Sequence, residues 1–190
     1  MSEIQRDAET KFESCNEDER KRPFFYNAMG LVTFMPKGNL YYNACPGEKC
    51  AKKLVEGDDG RWSCEKCGGT FNQPKAKFIA NVKITDHTTS VYATVNSDKV
   101  GEKVYGKTAQ WIRNACEGDS MIDTEALFED LKELVMVEYY FTIMVKQEYW
   151  NGNFNTKFYL IDAEKPEENL PKFIKILEEN NAAYDKVKSN

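Results

Sequence analysis

Four cysteines stand in two close pairs, Cys45 with Cys50 and Cys64 with Cys67, spaced Cys-x4-Cys-x13-Cys-x2-Cys. Thiolates grouped in this way suit a tetrahedral Zn²⁺ ion, because a tight turn inside each pair lets two sulfurs converge on one metal. Ordinary core cysteines would sit among apolar side chains. Here the neighbours are Glu48, Lys49, Lys52, Lys53, Glu65 and Lys66, which keep the turns in water. Gly47, Gly68 and Gly69 are expected to supply the positive φ angles that such turns need. Four thiolates saturate zinc and leave no position for water, so one structural Zn²⁺ is expected, with no catalysis at the metal.

A second stretch matches a chemical motif by its letters. Gly101 to Thr108 reads Gly-x4-Gly-Lys-Thr, the pattern of a phosphate-binding loop, and lies between strand-like and helix-like segments. A phosphate-loop domain also needs a buried parallel sheet of repeated strand-helix units. Only about eighty residues follow, and they contain a hairpin where a crossover is required. The stretch is therefore expected to be a turn entering a helix. The single histidine, His87, beside Asp86, reads as a turn residue, and no nucleophile is paired with a base. The chain reads as a protein that is not an enzyme.

The elements that must hold these residues follow from patterning. At 190 residues with 41% hydrophobic and 13% aromatic content, the chain can fill one core. No apolar run is long enough to cross a bilayer and no signal-peptide core is present, so no membrane partner is expected. Six cysteines without a signal argue for a reducing compartment, with Cys15 and Cys116 as free thiols. Residues 1–22 are polar and charged and are expected to form a linker or tether. Phe24 to Phe34 is aromatic and β-branched, a strand bent at Gly30. An insertion from about residue 40 to 73 folds around the metal, with a hairpin tip at Gly57-Asp58-Asp59-Gly60. Lys75 to Thr85 is expected to be one strand, with Phe78, Ala80, Val82 and Ile84 on one face, and Val91 to Val95 its neighbour.

Helices are expected near Lys107–Cys116 and over Thr124–Leu134, the latter capped by Asp123. Val135 to Val145 is strand-like, and Asn151-Gly152 turns the chain into a partner strand around Lys157–Ile161. Strand, insertion, two strands, helix, two strands is the order of a five-stranded OB-fold barrel, so the fold class is mainly β, with the barrel over residues 23–165. Residues 166–190 carry an apolar stripe at helical spacing (Leu170, Phe173, Ile174, Leu177, Tyr184) and are expected to form an amphipathic helix.

OB-folds hold single strands by stacking bases on aromatic rings while cations follow the phosphates. The candidates on the second and third barrel strands are Lys77, Lys83 and Tyr92. From the last hairpin come Tyr149, Trp150, Phe154 and Lys157, an aromatic and basic cluster beside a polar tip. A net charge of −5 means that any nucleic-acid contact rests on a local basic face.

These strings resemble a known family. Tyr42-Asn43-Ala44-Cys45-Pro46 entering the cysteine insertion, Arg61-Trp62-Ser63-Cys64-Glu65-Lys66-Cys67 leaving it, and Phe78 to Asp86 as the next strand are similar to the C-terminal domain of the replication protein A large subunit. The resemblance covers about residues 24–188. It implies single-stranded DNA binding, a structural zinc, residence in the nucleus, and assembly through the terminal helix with two smaller OB-fold subunits. Leu170, Phe173, Ile174, Leu177 and Tyr184 then face partners. One departure is that Tyr92 fills the first place of the family's strand-three aromatic pair while Asn96 stands near the second. That departure and the acidic balance lead us to expect a telomerase-associated paralogue working at telomeres, with two alternatives: a general replication and repair factor, or an assembly module with little DNA binding of its own.

Overall fold

The computed structural model describes residues 1–16, 18–36, 38, 40–117, 129, 131–168, 170 and 174. Its centre is a closed five-stranded barrel. β1 (Phe24–Phe34) pairs with β7 (Ala80–Thr85), β7 with β8 (Ser90–Val95), β8 with β10 (Asn153–Glu164), and β10 with β9 (Val137–Trp150), which returns to β1. All pairings are antiparallel except β8 with β10, where Phe158 lies against Ala93 and Tyr159 against Thr94. Strand alternation puts Val82, Ile84, Ala93, Val95, Phe141, Ile143 and Leu160 inside, all fully buried. The order of strands is the OB-fold order that the patterning led us to expect.

β1 must pass close to β7 where it bends. At Gly30, a Cβ would lie 2.8 Å from the carbonyl oxygen of Thr85, so no side chain fits.

Three features differ from the sequence expectation. Residues 75–85 are not one strand. β6 (Lys75–Phe78) pairs with β2 (Tyr41–Ala44) in a separate two-stranded sheet, and the barrel resumes at Ala80. The break falls at Ile79, whose N–H donates to the Leu40 carbonyl at 3.2 Å. The two halves still share one alternation, so Phe78, Ala80, Val82 and Ile84 are all buried as a single face.

Residues 2–14 form a docked helix where a linker was expected. α1 (Ser2–Ser14) carries Ile4, Ala8 and Phe12 four residues apart, on one face, and Ala8 and Phe12 are fully buried. The Phe12 ring lies 5.0 Å from Phe24, and Tyr26 donates its hydroxyl to Asp7 at 2.7 Å. Burial of a phenylalanine side chain is worth about 1.5–3 kcal/mol, which outweighs the polar look of the segment.

The third difference is a helix within the phosphate-loop lookalike. α2 (Asp98–Tyr105) runs through Gly101, and Gly106 ends it in the left-handed conformation at φ 65°. A Cβ at Gly101 would sit 2.3 Å from the Phe78 ring, so this glycine lets the helix approach the core. The motif's first glycine is a packing contact and its second a helix cap. α3 (Ala109–Glu117) follows and packs on β6, close to the expected helix. Of the expected Thr124–Leu134 helix, residues 124–128 and 130 lie outside the described residues; Leu131 is buried and Leu134 packs against the core.

Candidate metal centre and nucleic-acid face

The ribbon is built from very little chain. β3 (Val55–Glu56), β4 (Trp62–Ser63) and β5 (Thr70–Phe71) form a three-stranded sheet around a core of Cys45, Leu54 and Cys64, flanked by Cys50, Trp62 and Phe71. The four sulfurs lie within 4.8 Å of one another. Cys45 and Cys67 are 3.6 Å apart, Cys50 and Cys64 3.8 Å. A tetrahedron with Zn–S near 2.3 Å has edges of about 3.8 Å, so the donor set and its spacing fit zinc. Cys45, Cys50, Cys64 and Cys67 would hold the ion, and the fully sulfur-ligated set supplies no open coordination position.

The knuckles place backbone donors toward the sulfurs. Gly47 N–H points to the Cys45 sulfur at 3.4 Å. Backbone N–H groups of Cys67 and Lys66 pull the Cys64 thiol down to about 7, while burial pushes Cys45 up to about 12. A buried thiolate of that kind needs a cation beside it. Of the three glycines expected to take positive φ, only Gly68 does, at 69°, and in the first knuckle Lys49 takes that role at 57°. Gly69 is required for space instead, since a Cβ would lie 2.8 Å from the Phe71 ring.

The outer barrel face brings together several of the expected binding residues. Lys83 on β7 stands opposite Tyr92 on β8 and, across the other edge, opposite Phe34 on β1. The parallel register of β8 and β10 puts Lys157 beside Tyr92. The row therefore reads Phe34, Lys83, Tyr92, Lys157, alternating ring and cation. Tyr92 is 56% exposed, and neither Lys83 nor Lys157 has an ion-pair partner among the described residues. Tyr92, Thr94, Asn81 and Lys157 line a groove of about 560 Å³, with Pro36 and Gln5 of α1 at its border. Phe34 was missed in the sequence because it ends a strand whose other aromatics point inward or elsewhere.

Lys77 does not line this groove. Its ammonium lies 3.3 Å from the Asp98 carboxylate, which also accepts the Phe78 N–H, so it ties β6 to the start of α2.

Asn151 and Gly152, at φ 51° and 83°, make the tight tip. Successive strand residues alternate in register, yet at the tip Tyr149 and Trp150 both border one cavity of about 370 Å³, with Glu148, Asn155 and Lys157. Tyr149 is 66% exposed and meets Phe154 edge-on at 5.1 Å, with the Arg20 guanidinium 5.3 Å over the Phe154 ring. Trp150, 72% exposed, belongs to the register face of Glu148, Asn155, Lys146 and Lys157. On that face Lys146 sits 2.8 Å from Glu148 and 4.6 Å over the Tyr159 ring, while Tyr159 donates to Glu148 at 2.6 Å. The Lys146 ammonium holds Glu148 below the usual carboxylate range.

Of the expected partner-facing residues, Leu170 and Ile174 are exposed; Phe173, Leu177 and Tyr184, with most of the helix expected over 166–190, lie outside the described residues.

Comparison with known proteins decides the family. The sequence profile of the replication factor-A C-terminal domain matches residues 25–170. This chain belongs to that family. Replication factor A protein 1 of Schizosaccharomyces pombe is 28% identical over 136 residues, covering 72% of this chain and 21% of the relative. The replication protein A 70 kDa DNA-binding subunit of Tetrahymena thermophila is 32% identical over 166 residues, covering 80% and 23%. The chain thus spans about a fifth of the length of these relatives. A solved structure described as yeast RPA bound to ssDNA shares the fold at a TM-score of 0.70 and 23% identity, over 92% of this chain and 94% of that one. In this chain the family's matched region folds as an OB-like barrel with the four-cysteine ribbon inserted in it.

Proposed function

We propose that this chain is a single-stranded DNA-binding domain of the replication protein A large-subunit kind, with the strand held on the outer barrel face and the ribbon as a zinc-dependent brace. The alternating row Phe34, Lys83, Tyr92, Lys157 carries this reading. Rings accept bases by stacking without regard to sequence, and lysines between them follow the phosphates. The exposed Leu170 and Ile174 support assembly with two smaller OB-fold subunits through the C-terminal segment, and membership of the family supports residence in the nucleus. The finer reading is a telomerase-associated paralogue that binds G-rich telomeric strands; the exposed Asn96, where a second strand-three aromatic was expected, supports a changed base preference.

The test is affinity for G-rich telomeric, mixed and poly-T single strands at matched salt. Binding that weakens with salt supports the module, and preference for the G-rich strand supports the telomeric reading. Equal affinity for all three favours a general replication and repair factor, and no binding at low salt favours an assembly module. For the assembly surface, Phe173→Asp with Leu177→Asp should abolish association with the smaller subunits and leave DNA affinity intact. Normal association by that variant would overturn the helix as the interface.

A further inference from the structure

The ribbon, β2 with the chain just before it, and the end of α3 border a cleft of about 530 Å³. We propose that this cleft is a second binding site, which takes a nucleobase of the strand just beyond the groove. The proposal rests on the single-strand reading above and adds a place where one base is held apart from the rest.

Three aromatic residues are among those bordering the cleft: Tyr41 and Tyr42 from β2, and Trp62 from β4. The Tyr41 hydroxyl donates to Glu117 and the Tyr42 hydroxyl to the Ala51 carbonyl, each at 2.8 Å. Trp62 packs on the ribbon core. The rings are thus fixed before a ligand arrives, which lowers the ordering cost of binding a flat group. Asn43, the residue after Tyr42 in β2 and also in the lining, has a carboxamide oxygen that is buried with no hydrogen-bond partner. Bases carry amino and imino N–H groups, the donors that a turned Asn43 side chain would accept.

The polar rim sorts base from backbone. Lys53 lies at the cleft with no ion pair among the described residues and suits a phosphate outside. Glu56, on the same wall, repels phosphate and accepts from amino groups, which favours a base inside.

The cleft also continues the groove. Pro36 borders the groove and Gly38 borders the cleft. Two residues span at most roughly 7 Å. That distance is about two stacked nucleotides, so a strand leaving Tyr92 past Pro36 reaches the cleft without a long unsupported stretch.

The experiment uses the full chain and strands of about 12 nucleotides carrying one 5-iododeoxyuridine at successive positions, photocrosslinked and mapped by mass spectrometry. Crosslinks to Tyr92 from one set of positions, and to Tyr42 or Trp62 from positions two or more nucleotides along, are the expected result. Trp62→Leu should lower affinity for the 12-nucleotide strand by about tenfold and leave a strand of about 4 nucleotides unaffected. Metal content checks its fold, and Tyr42→Leu replaces it if the ribbon loses zinc. Crosslinks to Tyr92 with none to Tyr42 or Trp62 overturn the cleft and leave the barrel reading standing. The absence of any crosslink overturns both. Cleft variants that keep DNA affinity but lose a protein subunit make the cleft a protein interface, which also overturns the proposal.

Discussion

The ribbon is antiparallel and the barrel is antiparallel apart from its β8–β10 seam, yet the two are held by different forces. The ribbon's three strands are two residues each, and its buried core is Cys45, Leu54 and Cys64. The barrel buries a continuous core from Val32 to Ala163 and adds the faces of α1, α2 and α3 to it. Strands that short cannot offset their conformational entropy by burial, so the ribbon's free energy of folding has to come from metal coordination. The barrel draws its stability from apolar area. Function follows the same division, since the stiff barrel carries the outward rings and the ribbon holds one wall of a cleft.

The sharpest way to break this comparison is to remove zinc. Chelation, or Cys64→Ser, should abolish hydrogen-exchange protection across residues 45–71 and leave the barrel amides protected, because structural zinc is worth about 10–16 kcal/mol to small sites. Loss of both regions together would show one cooperative unit. Next in size is the barrel core. Phe141→Ala should cost about 3–5 kcal/mol in denaturant melts and leave zinc content unchanged. Gly101→Ala should cost about 1–3 kcal/mol, since its methyl meets the Phe78 ring and either α2 or Phe78 must shift.

The smallest stability effects belong to the outer face. Tyr92→Ala should leave the unfolding free energy within about 0.5 kcal/mol of wild type, as surface changes do. Its single-strand affinity should fall by about 1–3 kcal/mol in fluorescence titrations. Trp150→Ala should weaken binding together with Lys157→Ala, and Tyr149→Ala should do less, because the Tyr149 ring is already engaged edge-on by Phe154. Equal losses for Tyr149 and Trp150 would mean that the strand wraps the tip.

Much of this was legible in the sequence, where each signal had a local cause. The four cysteines announced their ligand set by spacing, Asn151-Gly152 announced its turn, and the alternation from Phe78 to Ile84 announced a buried face. What stayed hidden depended on tertiary partners. α1 shows only Ile4, Ala8 and Phe12 against a polar background, a period of four that becomes persuasive once Phe24 is beside it. Gly101 and Gly106 resemble a phosphate loop by letters alone, and only the Phe78 ring explains the first of them. The split at Ile79 leaves the alternation intact, so no pattern marks it. Tyr149 and Trp150 alternate in register as strand neighbours do, yet both border one cavity at the hairpin, which the sequence pattern does not foretell.

The barrel closes through its one parallel seam, where the paired residues are Phe158 with Ala93 and Tyr159 with Thr94. The β9–β10 hairpin can zip from its own tip, whereas the seam must bring together segments more than sixty residues apart and waits on the loop between them. Refolding should accordingly protect hairpin amides before those of β8, and the long hairpin is then an early template on which the remaining strands assemble.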